Sequence, residues 1–158
     1  MRRVAVWAGH LAIVVAAVLA ATFALAFLQP ATRSRFSFRE EGEVPVDGQP
    51  AAQIGYEERA RPTVFLGRDN RDLPVRGSFW IAPDTGALLR SSMQLTIEVN
   101  LDRADVDIIV TFKPSPELAG LWVPSEMHEI YTTAAMKLDC VARYGNYRLI
   151  GNKSRPTP

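Results

Sequence analysis

The 158-residue chain holds a single cysteine, Cys140, and two histidines, His10 and His128. One thiol cannot close an internal disulfide, and it reads as a small buried apolar residue rather than a nucleophile. With no His-x-x-x-His and no cysteine pair, a metal centre is short of ligands. Asp102, Asp105 and Asp107 lack the spaced glycine and the terminal glutamate of a calcium loop. There is no Gly-x-Ser-x-Gly elbow and no glycine-rich phosphate loop, so nothing points to an enzyme and no cofactor is expected. A surplus of one charge is also missing. The formal net charge is +1, and with Arg2 and Arg3 set aside 16 basic side chains face 17 acidic ones, which leaves no concentrated basic face for nucleic acid. After Leu28 no stretch of ten or more residues repeats its apolar residues every 3.6 positions, which argues against a helical domain.

What is present begins with an apolar run. Val4 to Leu28 carry no formal charge, and only His10 and Thr22 are clearly polar. As a helix these residues would extend about 37 Å against a hydrocarbon core of about 30 Å, enough to cross a membrane with some tilt. Two readings stand. One is an uncleaved single-pass anchor in the bacterial inner membrane, with the domain facing the periplasm or the outside. The other is a secretory signal cleaved near Ala26, since Ala24-Leu25-Ala26 has the small-x-small pattern, with release to the periplasm. The run exceeds the roughly 7 to 15 apolar residues of a signal, which favours the anchor. Arg33, Arg35 and Arg39 match Arg2 and Arg3 across the run, so orientation rests on the short flank shaped like a signal's n-region, which favours an exported domain.

The remainder is organised around a hairpin from Gly77 to Val99. Leu89, Ser91, Met93, Leu95, Ile97 and Val99 alternate with Arg90, Ser92, Gln94, Thr96, Glu98 and Asn100, the period of two of a half-buried strand. Pro83-Asp84-Thr85-Gly86 supplies the turn between the arms. Phe36 and Phe38 mark a short strand before Val46-Asp47-Gly48, and Ala52, Ile54 and Tyr56 alternate on the way back, with Pro45 and Pro50 fraying the ladder. Arg59 to Arg76 reads as a long exposed loop. Val106, Ile108, Val110 and Phe112 continue the apolar face, and Leu121 to Tyr131 leads to a last strand over about Asp139 to Ile150, with Gly145-Asn146 as a bulge. These features predict a mainly β domain, a curved antiparallel sheet of about seven strands forming an incomplete barrel, preceded by one N-terminal transmembrane or signal helix. The expected division is 1–28 anchor or signal, 29–35 linker, 36–150 β domain and 151–158 disordered tail.

Val46-Asp47-Gly48, Gly-Ser-Phe-Trp-Ile-Ala-Pro-Asp-Thr-Gly, Ile-Ile-Val-Thr-Phe and Leu-Trp-Val-Pro-Ser-Glu-Met-His-Glu-Ile-Tyr together resemble a group of bacterial exported β proteins. Their pattern is similar to the outer-membrane lipoprotein carrier (Lol-type) superfamily, over roughly Phe36 to Leu149. The resemblance implies a curved sheet that receives acyl chains on its concave face. Such proteins carry further strands and helices ahead of the matched part, whereas this chain passes almost directly from the apolar run to Phe36, as a shortened version would.

One apolar face therefore needs a cover or a ligand. One reading is a non-enzymatic module that binds an acyl chain or lipidated partner on Met93, Leu95, Ile97, Ile108, Val110 and Phe112, with Trp122 and Met127 at its rim. The other is a structural or protein-interaction domain of the cell envelope in which these residues are the core, packed against the long loop or a second copy in a homodimer. Glu126-Met127-His128-Glu129 is the one polar cluster with a catalytic look, and Glu126 and His128 share a strand face, which reads as that strand's solvated side.

Overall fold

The computed structural model describes residues 26–99 and 102–148. Most of the apolar run, the end of the expected last strand and the expected disordered tail lie outside them. Among the described residues no helix is long and apolar enough to cross a membrane.

Seven strands form one antiparallel sheet in the order β1 (Phe36–Glu43), β2 (Ala52–Glu58), β5 (Arg76–Ile81), β6 (Leu88–Val99), β7 (Asp102–Ser115), β8 (Leu121–Thr132) and β9 (Lys137–Arg143). The sheet is a mainly β, antiparallel and unclosed meander, with β1 and β9 at its margins. A separate small hairpin, β3 (Phe65–Leu66) and β4 (Asp72–Leu73), is inserted between β2 and β5. The Asp47-Gly48 reversal forms as its residues dictate. Both adopt positive φ, 50° and 80°, and the Val46 and Gln49 N–H groups each donate to the other's carbonyl at 2.9 Å.

The period of two sorts the sheet into faces. Cross-strand partners share a face, so the registers Tyr56↔Gly77↔Met93↔Ile108↔Glu129 and Phe79↔Ser91↔Val110↔Met127 run as rows across the apolar side. Phe36, Tyr56, Phe79, Met93, Val106, Ile108, Val110, Phe112 and Met127 on that side are all buried. The other side carries polar rows closed by cross-strand bonds, such as Gln94 Nε2 to Asp107 Oδ1 at 2.6 Å and Thr96 Oγ1 to Asp105 Oδ1 at 2.7 Å. Bulges interrupt the ladders at Glu41, Leu89 and Ser125, where two residues oppose one and the strand bends.

One row depends on a missing side chain. The Tyr56 ring stacks on Phe79 with centroids 4.8 Å apart, and its hydroxyl passes over β5 to donate to the Ser92 carbonyl on β6 at 2.8 Å. A Cβ at Gly77 would sit 2.8 Å from both the Tyr56 hydroxyl and the Ser92 carbonyl carbon, and far inside van der Waals contact with the carbonyl oxygen. Only glycine leaves that path open.

Four expectations are corrected. Residues 29–35, read as a linker, are a folded element: Pro30–Arg33 forms one helical turn, and the Arg35 carbonyl accepts from the Arg59 N–H at 2.8 Å. Just ahead of them, Phe27 is 1% exposed, with its ring 4.8 Å from Phe36 and 5.6 Å from Tyr56. Arg59 to Arg76 is largely exposed as expected, but it is an ordered segment carrying the β3–β4 hairpin rather than a plain loop. The Asp72 carboxylate gathers it by accepting from Arg61 Nη1 at 2.7 Å and the Thr63 N–H at 2.6 Å, and Phe65 and Val75 reach the core. The last described strand begins two residues before Asp139 and ends at Arg143, so Gly145-Asn146 lies beyond it. Asn146 has a positive φ of 56° but lies outside the β8–β9 ladder, so it bulges none of its pairs. Met127, expected at the rim of the apolar face, is 1% exposed because its register partner Val110 sits mid-sheet.

Candidate functional site

The eight residues expected on the apolar face converge. Met93, Ile108, Val110, Phe112 and Met127 are buried in one cluster, and Leu95, Ile97 and Trp122 pack half-buried against it. Sequence alternation missed two of their neighbours, Phe27 and Val75, which come from segments without a strand pattern; Phe65 also packs against this core, from the Thr63 to Leu66 stretch whose apolar character suits it to rest on the sheet. Trp122 also touches a second, smaller cluster of Val46, Ala51 and Leu89. Beside it a shallow, open depression is lined by Leu88, Phe112, Leu121 and Trp122, with Leu121 60% exposed.

Among the described residues two buried carboxylates stand on this apolar side. Glu58, at the β2 margin, is held by the Val64 N–H at 2.7 Å and faces Arg35 Nε at 3.6 Å. Among the described residues no cation pairs with Glu129; it accepts from the Tyr131 hydroxyl at 3.3 Å, and burial pushes its carboxyl above the usual range. The same burial, with the Glu129 charge adding to it, raises the Tyr131 phenol to about 12. Glu129 was legible in the sequence, since the alternation Met127, Glu129, Tyr131 already places it on the apolar face.

The polar cluster comes together on the opposite face. His128 Nε2 lies 2.8 Å from Glu126 Oε1, and Arg143 Nε donates to Glu126 Oε2 at 2.9 Å. The His128 bond first, then Arg143, holds the Glu126 carboxyl below the ordinary range. Both of its oxygens are engaged, so this carboxylate is poorly placed to take a proton from a substrate. The third member, Arg143, comes from β9 and is visible only through the Glu126↔Arg143 register. Among the described residues no three His, Cys, Asp or Glu side chains gather to hold a metal ion. No protein-family model, curated protein or solved structure matches the chain.

Proposed function

We propose that this chain is a non-enzymatic interaction domain of the bacterial cell envelope, tethered by or exported through its N-terminal apolar run, whose apolar sheet face serves as its own core. The observation that carries this reading is that Met93, Ile108, Val110, Phe112 and Met127 are buried in the chain's own core, in one cluster with Phe27 and Val75 and with Phe65 packed against it. Met127→Ala tests it. A core methionine replaced by alanine lowers unfolding free energy by about 2 to 5 kcal/mol, and the full-length chain washed in mild detergent carries no stoichiometric acyl lipid. Stoichiometric lipid that Met127→Ala sheds, with unchanged melting, overturns the reading.

The Lol-like reading, in which an acyl chain or lipidated partner is bound, has one observation of its own: the open apolar depression beside Trp122, where Leu121 stands 60% exposed. In that reading Leu121→Glu abolishes lipid retention while leaving the fold intact, because the side chain stands mostly in solvent. For location, alkaline phosphatase fused after Pro158 is active if the domain is exported and inactive if it faces the cytoplasm.

A further inference from the structure

The two margins of the sheet are built differently. β1 carries the extra residue Glu41, Gly42 at φ 111° and a run of charges, devices that discourage a sheet edge from pairing. β9 has no bulge. Its seven residues pair with β8 in unbroken register, and Leu138 and Val141 are 47% and 49% exposed.

Which backbone groups of β9 face outward follows from the two ends of its ladder. The Thr133 N–H donates to the Met136 carbonyl and the Tyr144 N–H to the Ser125 carbonyl, each at 2.9 Å. Alternation between these points turns Leu138, Cys140 and Ala142 toward β8. It leaves the N–H and C=O groups of Lys137, Asp139, Val141 and Arg143 at the sheet margin, where no strand among the described residues pairs with them.

That edge is complementary to itself in one register. The geometry points to a homodimer in which β9 pairs antiparallel with β9 of a second copy, about a two-fold axis at Val141. Val141 then faces Val141, and Asp139 of each copy faces Arg143 of the other, giving two ion pairs and about six backbone hydrogen bonds. Neighbouring registers lose this: an axis at Cys140 sets Lys137 against Arg143, an axis at Asp139 sets that carboxylate against itself, and an axis at Ala142 sets Val141 against Arg143. Arg143 uses Nε for Glu126 and keeps its terminal nitrogens for a second carboxylate. The inference is independent of how the apolar face is used, because Asp139, Val141 and Arg143 lie on the opposite side.

Seven residues a side makes a small interface, in the weak class below about 1,200 Å², so the test is a sedimentation series of the full-length chain in mild detergent carried to high concentration. The wild type associates to a dimer. Asp139→Lys and Arg143→Glu each set like charges opposite one another twice and weaken association at least about tenfold, while an equimolar mixture of the two restores it as a heterodimer. Val141→Pro removes an N–H that faces solvent in the monomer, so the fold persists by circular dichroism while the dimer is lost. A wild type that stays monomeric throughout, a mixture no tighter than either variant, or a dimer that survives Val141→Pro overturns the proposal.

Discussion

Replacing Gly77 with alanine isolates the most constrained contact in the sheet. The new methyl would press on the Ser92 carbonyl and on the Tyr56 hydroxyl, and the carbonyl belongs to the β6 backbone, which cannot rotate away as a side chain would. Overpacking of this kind costs about 1 to 3 kcal/mol. Displacing Tyr56 adds the loss of its bond to Ser92, about 1 kcal/mol, with a further penalty if the buried hydroxyl finds no partner. The sum is about 3 kcal/mol, which for a domain of this size lowers Tm by roughly 10 °C. Urea unfolding followed by far-UV circular dichroism reads it directly. Tyr56→Phe separates the terms: alone it costs about 1 kcal/mol, and in its background Gly77→Ala still destabilises, because the clash with the Ser92 carbonyl remains. Stability of Gly77→Ala within about 0.5 kcal/mol of wild type, the range of surface substitutions, would refute the account of how β2, β5 and β6 fit together.

Three further outcomes are expected. Glu129 is a carboxyl whose folded pKa is raised, so the folded state holds more protons than the unfolded one between the unfolded value of about 4.3 and the raised value. Stability therefore falls as pH rises through that window, and Glu129→Gln raises the urea midpoint at neutral pH by an amount that vanishes near pH 4. Ser91 is 1% exposed and its hydroxyl finds no hydrogen-bond partner among the described residues, so Ser91→Ala stabilises the domain by about 1 kcal/mol in the same unfolding assay. Asp72→Ala releases the β3–β4 hairpin, and limited trypsin digestion then cuts faster at Arg68 or Arg71.

The sheet was legible in the sequence because its long strands alternate with a period of two; Leu89 to Val99 and Val106 to Phe112 alone mark two strands and the side that is buried. The Asp47-Gly48 turn was legible for a similar local reason. What escaped was whatever depends on contacts distant in the chain. Nothing between Arg59 and Arg76 alternates, since its order comes from one carboxylate holding two points of the segment and from Phe65 reaching the sheet. Phe27 sits at the end of an apolar run whose composition dominates any reading, so its place beside Phe36 leaves no local signal. Bulges at Leu89 and Ser125 fall among ordinary strand residues, where the partner strand decides the mismatch. At the candidate face, alternation named the correct side but could not tell a core from a groove, because that depends on what the rest of the chain lays over it.

The strand order also sets a path for mechanical load. Each strand pairs with its neighbours along the sheet, so the end that holds Phe27 and the β9 margin are six ladders apart, about 29 Å at roughly 4.8 Å per strand. A pull entering near residue 27 and leaving through β9 crosses those ladders in series, and the shortest limits what the series can bear. The ladders on either side of β5 join six residue pairs each, against ten for β6 with β7 and eleven for β7 with β8. The Tyr56 hydroxyl bridges that weak place, running from β2 over β5 to the Ser92 carbonyl on β6. It acts as a rivet through the thinnest part of the sheet, and without it tension would part the domain along β5 while β6 to β9 stayed together.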